Sequence, residues 1–209
     1  ISLPTGAGKT GVIATIAHFS SKKNVLVVCH RSAVKDQILK QRSGEFFEER
    51  IPQESIPLKP VWSGIKQVSD TGVYVTTFQK LSSTDVDTLK AFTEAIDLII
   101  IDEGHSEPSP VWSKISRAIK AHKIIITATP YRNDLFKFDV SPGSSFIYTF
   151  KHALEHKVLC GPKFESVNEG ELSERIKVLL NEQPDTKCII KCKKHHEIAK
   201  YEAIFSQHY

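Results

Sequence analysis

Short runs of Val, Leu and Ile recur along the chain, separated by segments in which apolar residues return every three or four positions. A run without polar alternation is typical of a strand buried on both faces, as in a parallel sheet flanked by helices. The runs predict strands over 24–30, 72–78, 98–102, 123–130 and 187–192. The helical spacing predicts helices over 10–21 and 111–123. We therefore expect an α/β fold with a parallel sheet and right-handed crossovers.

The pattern also predicts how the chain divides into domains. Residues 159–171 combine Gly and Pro with polar residues, which predicts a linker. Amphipathic helices are predicted beyond it, over 172–183 and 195–205, on either side of the last strand. We expect a first domain over 1–158 and the start of a second α/β domain over 172–209, which this sequence leaves incomplete.

Composition adds only broad limits to this picture. Hydrophobic residues make up 40% of the 209 positions and charged residues 25%, as expected for a chain with a packed core. The net charge of +4 permits a polyanionic partner but does not demonstrate one.

Cysteine usage and hydropathy bear on where the protein works. The four cysteines are scattered and lack the density of a secreted disulfide scaffold, so we expect an intracellular protein of the cytoplasm or nucleus. No apolar stretch reaches about 18 residues and no signal-peptide pattern opens the chain, so no membrane partner is expected. The sequence starts at Ile1 and contains no Met, so we expect a segment of a longer protein with a truncated first strand.

The sequence LPTGAGKT, from Leu3 to Thr10, carries the first candidate chemistry. Glycines let the backbone turn so that successive amides point at phosphate oxygens, and the helix that follows aims its positive dipole end at the same anion. Lys9 adds a mobile positive charge, and Thr10 offers a hydroxyl to Mg²⁺. Leu3 stands where the strict P-loop pattern has Gly. The predicted phosphate-binding residues are Thr5, Gly6, Ala7, Gly8, Lys9 and Thr10.

Asp102 and Glu103 follow directly after the buried run LIII, at the carboxyl end of a predicted strand. Ligands of open α/β sheets collect at that edge. Asp102 is expected to hold Mg²⁺ through water, and Glu103 to orient the water that attacks the γ-phosphate of ATP. The alternative is a Gly-rich helix start and a separate, solvated acidic turn.

Further segments, in the same order along the chain, resemble the motifs of superfamily 2 helicases and translocases. The P-loop is similar to the first motif, and the sequence DEGH from Asp102 is a variant of the DEAD/DEAH box. The other matching segments are VCHRSAVKDQ (28–37), VTTFQKL (75–81), TATP (127–130) and KCIIKCKKHHEIAKYEAIF (187–205). This resemblance implies a RecA-like P-loop NTPase with the start of a second RecA-like domain. TATPYR and EPSPVW are most similar to the branch of type I and type III restriction translocases and related repair or phage-defence helicases.

The resemblance also implies a role in coupling for residues around the third motif. His105 would act with Lys9 and the two acids by contacting Thr127 or Thr129, the alternative being that it only caps the following turn. Arg132 is either a nucleotide or interdomain contact or a surface ion-pair partner. Gly104 replaces the usual Ala of the box. We expect Gly104→Ala to leave ATP hydrolysis within a few-fold, because the exchange removes no polar group.

Nucleic-acid contacts are implied at the ends of two other strands. The matching residues are His30, Arg31, Thr76 and Thr77, whose cations and hydroxyls suit a grip on phosphates that reads no bases. The alternative for each is an ordinary strand-to-helix turn capped by Ser32 or Thr77. Trp62 and Trp112 could stack on bases, but we expect them to be core residues.

The leading hypothesis is an ATP-dependent, Mg²⁺-requiring helicase or translocase that moves on nucleic acid, with DNA favoured over RNA. The alternatives are a nucleotide-gated nucleic-acid clamp and the motor subunit of a restriction, repair or defence complex that pumps DNA without unwinding it. The family's arginine finger comes from a later part of the second domain. We therefore expect residues 1–209 alone to hydrolyse ATP very slowly and not to unwind duplexes.

Overall fold

The computed structural model describes most of the chain. The described residues are 1–30, 32, 35–36, 38–39, 58–65, 71–130, 138, 140–141, 143–183 and 188–206. They form two compact units, Ile1–Cys160 and Gly161–Tyr209.

The first unit is built on a parallel sheet of five strands in the order β2-β3-β1-β4-β5. The strands are β1 (Asn24–Cys29), β2 (Val61–Ser63), β3 (Gly72–Thr77), β4 (Leu98–Ile101) and β5 (His122–Ile125). In the central register, Val27 pairs with Val75 on one side and Ile100 on the other. Every residue of β3 and β4 is buried, which explains why both read as unbroken apolar runs. The predicted α/β fold with a parallel sheet is confirmed.

Helices cover both faces of this sheet. Those of the first unit with both ends in the described part of the chain are α1 (Lys9–Phe19), α2 (Phe78–Ser82), α3 (Val86–Glu94), α4 (Pro110–Ala118) and α5 (Phe150–Glu155). Alternate strand residues enter two separate cores: Val25 and Val27 pack with Ile13 of α1, whereas Leu26 and Val28 pack in the cluster that contains Phe78 and Phe92. The period-2 geometry of a strand thus divides one hydrophobic run between two layers.

The first residues of the chain lie beside the continuation of β5. Ser2 forms parallel bridges with Thr127 and with Ile147. The Leu3 N–H donates to the Thr127 carbonyl at 3.0 Å, and the Tyr148 N–H donates to the Ser2 carbonyl at 2.9 Å. The run that leads into the P-loop is therefore held between two extended segments.

The second unit contains α6 (Leu172–Glu182) and α7 (His195–Phe205), close to the two predicted helices. The predicted strand over 187–192 is wrong for its described part, 188–192, where no strand forms. A strand exists only with a partner for its backbone, and the described residues of this unit contain no other strand. Ile189 is accordingly 93% exposed.

The described part of the chain contains no helix with the length and apolarity required to cross a membrane.

Candidate nucleotide-binding site

Two glycines set the backbone of the P-loop. Gly6 and Gly8 both have φ of 84°, the left-handed region that glycine adopts without a steric penalty. Gly8 is the N-cap of α1, which begins at Lys9. The Ala7 N–H donates to the Pro4 carbonyl at 3.2 Å. The amides of Gly8 and of the first helical turn lie at the positive end of the helix dipole, which favours an anion.

The two glycines are required for different reasons. A Cβ atom added to Gly6 would lie 3.0 Å from Cδ2 of Leu159, whereas a Cβ on Gly8 would meet no atom within 4 Å. Gly8 is therefore needed for its backbone conformation alone, and Gly6 for its conformation and for the close approach of Leu159.

Lys59, for which the sequence pattern gave no signal, caps the C-terminal end of α1. The Lys59 ammonium donates to the carbonyls of Ala17, Ser20 and Lys22 at 3.0, 2.8 and 2.6 Å. A cation at a helix C-terminus satisfies carbonyls that lack partners in the helix and complements the dipole. Desolvation by burial lowers the pKa of Lys59. The P-loop helix is thus anchored at the end away from the candidate site.

Asp102 stands at the carboxyl end of β4 and is 6% exposed. Its N–H donates to the Val28 carbonyl at 2.9 Å, and its Oδ1 accepts from the Glu103 N–H at 2.9 Å. Burial raises the pKa of the Asp102 carboxyl, and the Glu103 carboxylate raises it further. The Glu103 N–H and the positive charge of Lys9 act on this pKa in the opposite direction. Leu3, just before the P-loop, donates its N–H to the Thr127 carbonyl at 3.0 Å, and Gly104, just after the acids, donates its N–H to the Ile126 carbonyl at 2.9 Å. The P-loop and the acidic strand end therefore share one edge of the sheet.

Glu103 has an uncommon backbone conformation. Its φ of 49° and ψ of 46° are left-handed, which is rare for a residue with a side chain and costs of order 1–3 kcal/mol. The turn is held by the next residue, because the buried Gly104 donates its N–H to the Ile126 carbonyl at 2.9 Å. The left-handed conformation of Glu103 directs the chain into the short 3₁₀ helix Gly104–Ser106 and leaves the Glu103 side chain half-exposed.

Gly104 lies where the structure leaves little room for a side chain. A Cβ atom at this position would overlap Cγ2 of Ile125 and lie 3.3 Å from the Ile126 carbonyl oxygen. Ile125 is buried and β-branched, so its Cγ2 has little freedom to move away. An alanine here would therefore crowd Ile125, even though no polar group is lost. The expected effect of Gly104→Ala on ATP hydrolysis stays a prediction.

His105 connects the acidic turn to the segment after β5. Its Nδ1 lies 3.4 Å from Oε2 of Glu103 and 3.4 Å from Oγ1 of Thr127. Thr127 Oγ1 in turn accepts from the Thr129 N–H at 3.1 Å and lies 3.2 Å from the Thr129 carbonyl. The structure thus brings together His105, Thr127 and Thr129 as the resemblance implies. Their role in coupling stays a prediction.

The residues predicted to contact nucleic acid are not equivalent. Thr76 is 1% exposed, and a buried hydroxyl cannot contact a phosphodiester backbone, so the structure removes it from that set. Thr77 is buried as the N-cap of α2 and accepts from the Lys80 N–H at 3.2 Å, which is the simpler alternative. His30 remains half-buried at the end of β1, with its ring 4.8 Å from that of Trp112. Arg31 and Arg132 lie outside the described residues.

Both tryptophans pack against the core, as expected. Trp112 stacks on Phe78 with ring centroids 4.4 Å apart and planes 4° from parallel. Trp62 packs against the cluster that contains Tyr74, and its Nε1 would lie 2.8 Å from a Cβ added to Gly72.

A buried carboxylate behind the acidic turn was also missed. Glu107 is fully buried, and its Oε1 accepts from Ser116 Oγ at 2.8 Å. Arg117 Nε and Lys123 Nζ lie 3.5 and 4.0 Å from the same oxygen. These contacts join the turn to α4 and to β5. An acid between proline and serine residues in the sequence carried no signal of such burial.

A parallel sheet with a glycine-bounded helix start and an acidic strand end at one edge defines a P-loop NTPase of RecA-like fold. Residues 1–132 match the family described as the res subunit of type III restriction enzymes. The match covers well over half of the chain, and the chain belongs to this family of helicase-like, ATP-dependent nucleic-acid motors. The predicted kinship with superfamily 2 is confirmed. No curated protein matches the chain.

Proposed function

We propose that this chain is the ATP-hydrolysing core of a motor that moves on nucleic acid, with DNA as the favoured track. One observation carries the proposal: the segments that carry Lys9 and Asp102 are both hydrogen-bonded to the residues that follow β5, at the edge where two left-handed glycines precede α1. A cation and a carboxylate so placed suit the two halves of a magnesium nucleotide.

The residues at this edge fit Mg²⁺ and ATP by their chemistry. The amides of Gly8 and Lys9, together with the Lys9 ammonium, would hold phosphate oxygens, and the Ala7 amide would join them on leaving the Pro4 carbonyl. Thr10 and Asp102 would hold Mg²⁺ by a hydroxyl and a carboxylate, the hard oxygen donors this ion prefers. When bound, Mg²⁺ supplies neutralisation of the negative charge on the phosphates. The Asp102 carboxyl, costly to ionise in its buried position, would gain a cationic partner there.

Glu103 is the proposed catalytic carboxylate. Its left-handed backbone and the anchored Gly104 leave its side chain half-exposed beside the buried Asp102. It would accept a hydrogen bond from the attacking water and hold that water in line with the γ-phosphate. His105, 3.4 Å from Glu103 Oε2, would keep this carboxylate in position.

Coupling is proposed to run through His105 to the segment after β5. With its proton on Nδ1, His105 can donate to either the Glu103 carboxylate or the Thr127 hydroxyl. A change at the catalytic carboxylate would then alter the contacts of Thr127 and Thr129. Arg132, three residues further on, is proposed as the nucleotide or interdomain contact of this segment.

Nucleic-acid binding is proposed at the carboxyl end of β1, by His30 and Arg31, with a lesser contribution from Thr77. Contacts of this kind neutralise phosphates and position a strand without reading its sequence. The favoured partner is DNA because restriction enzymes, which the family description names, act on DNA.

The test compares Glu103→Gln with Glu94→Gln, a matched change at an exposed position of α3. Glu103→Gln is expected to bind Mg²⁺-ATP with unchanged affinity and to lower its single-turnover hydrolysis by 10² or more. Glu94→Gln is expected to do neither. Hydrolysis by Glu103→Gln at the rate of the unaltered chain would contradict the assigned role. Absence of ATP binding by the unaltered chain would contradict the function itself.

A second candidate is supported by the family description, since a restriction res subunit belongs to a multisubunit complex. In this form the chain would pump DNA, together with partner subunits, without separating its strands. Displacement of a triplex-forming strand without release of a duplex strand would favour pumping. Release of the duplex strand would favour a helicase.

A further inference from the structure

Three aromatic rings form a cluster on and beside α5 that the proposed chemistry does not use. The ring cluster consists of Tyr148, His152 and His156. Its ring centroids are 5.8, 6.0 and 6.3 Å apart, and its planes lie within 35° of one another. Tyr148 Oη and His156 Nδ1 are 3.0 Å apart. Both histidines are exposed, whereas Tyr148 is half-buried.

The ring cluster is tied to the P-loop at its beginning. Tyr148 donates its N–H to the carbonyl of Ser2 at 2.9 Å, and Ser2 lies in the run that leads into the P-loop. The Tyr148 side chain packs against the hydrophobic cluster that includes Leu3. The Tyr148 ring is therefore fixed beside the extended run that leads into the P-loop.

A second connection ties the far end of the ring cluster to the same loop. After α5 the chain turns at Lys157, which has φ of 56°, and Leu159 donates its N–H to the Ala153 carbonyl at 3.0 Å. This turn brings Leu159 against Gly6, where Cδ2 lies 3.0 Å from the position of an added Cβ. The residues that follow His156 thus form a wall of the phosphate loop.

From these contacts we propose that the ring cluster is the nucleobase subsite for the nucleoside triphosphate whose phosphates bind at Gly6 to Thr10. The proposal rests on the proposed function. A nucleotide held by its phosphates extends its base to one side of the loop, and this flank presents aromatic surface tethered to the loop at two points. Stacking on aromatic rings suits a nucleobase because every base has a π-face.

Stacking of single-stranded nucleic acid is the competing use of such rings. Lys151 and Lys157 are exposed beside the cluster and would suit a phosphodiester backbone. The two connections to the P-loop favour binding of the nucleotide base over binding of a nucleic-acid strand, since a surface that binds a strand needs no connection to the P-loop.

The test measures binding to the 209-residue chain by calorimetry with Mg²⁺, using ATP and inorganic tripolyphosphate as the two ligands. His152→Ala/His156→Ala is expected to weaken ATP binding about five-fold or more and to leave tripolyphosphate binding unchanged. His156→Phe, which keeps a ring, is expected to bind ATP within two-fold of the unaltered chain. Lys151→Ala, an exposed change on the same helix, is expected to alter neither ligand.

Three results would overturn the assignment of this subsite. Unchanged ATP affinity in the double variant would do so, as would equal weakening of both ligands. So would loss of single-stranded DNA binding with ATP binding intact, which would assign the rings to the strand. If the unaltered chain bound neither ATP nor tripolyphosphate, and Lys9→Ala changed nothing, the proposed function would fail together with its base subsite.

Discussion

At the scale of single residues, the candidate site contains groups that lower the stability of the folded state. Asp102 is a carboxyl buried at a strand end, and Glu103 holds a backbone conformation that a side chain disfavours. Natural proteins accept such costs where a group is needed for chemistry. The cost at Asp102 is measurable because it depends on pH.

Asp102→Asn is expected to stabilise the chain at neutral pH when EDTA is present. Burial raises the folded pKa above the unfolded value, so protonated Asp102 favours folding. That contribution is complete below the unfolded pKa, near 4, and is lost as the pH rises through the folded pKa. Thermal unfolding from pH 4 to 7 should therefore show the melting temperature of the variant increasingly above that of the unaltered chain. A difference independent of pH would contradict this account.

Gly104→Ala is expected to destabilise the chain by about 1–3 kcal/mol, because its new methyl group overlaps Ile125 Cγ2. Ile125→Ala alone should cost about 2–5 kcal/mol by leaving a cavity. The double variant should cost less than the sum of the two single variants, because the methyl group added at position 104 enters the space that Ile125→Ala empties. Urea unfolding of the four chains measures the coupling, and strict additivity would show that the two side chains do not compete for space.

At the scale of elements, the acidic turn depends on a buried connection to its neighbours. Glu107 receives a hydrogen bond from Ser116 of α4 and lies near Lys123 of β5. Since the turn begins at the end of β4, this carboxylate fixes the turn to α4 and β5. The element that carries Glu103 is thus held by contacts outside the proposed chemistry.

Glu107→Ala is expected to cost about 1–3 kcal/mol of unfolding free energy, because it removes a buried acceptor from its donors. Glu107→Gln keeps the size and one carbonyl oxygen for Ser116, so its loss should be smaller. Glu94→Gln, at an exposed site, should be neutral. Urea unfolding gives all three values. Equal losses for Ala and Gln at position 107 would show that charge, and not the acceptor, is what the site requires.

At the scale of the whole molecule, parallel strands gather distant residues at one edge. His30 follows β1, Asp102 follows β4, and Lys9 begins α1. All three lie at the carboxyl side of the sheet. The proposed nucleotide and nucleic-acid contacts therefore adjoin within one unit. Such adjacency suits a motor in which each ligand alters the binding of the other.

Binding of single-stranded DNA is expected to weaken as salt rises, with a linear fall of log K against log salt. His30→Ala should reduce affinity by a few-fold, because it removes a proposed phosphate contact. Thr76→Val should have no effect on affinity, since this side chain is buried. A fluorescence anisotropy titration at several salt concentrations tests both. Affinity independent of salt would argue against backbone contacts.

The local pattern predicted the parts of this protein whose physical cause is local. Strands covered on both faces need unbroken apolar runs, and β1, β3 and β4 were found on that basis. β2 was missed because it has three residues, none fully buried. The strand predicted over 187–192 failed in its described part, 188–192, because its formation depends on a partner that no local pattern encodes.

The sequence by itself determined the class of fold, the two left-handed glycines ahead of a helix and the acids at a strand end, since each rests on backbone conformation or burial of consecutive residues. Only the tertiary structure decided that Ile125 leaves no room for a methyl group at Gly104, that Thr76 is buried and that Glu107 joins three elements. The reason is physical: space, burial and charge pairing depend on which segments pack together, and residues far apart in the chain settle each of them.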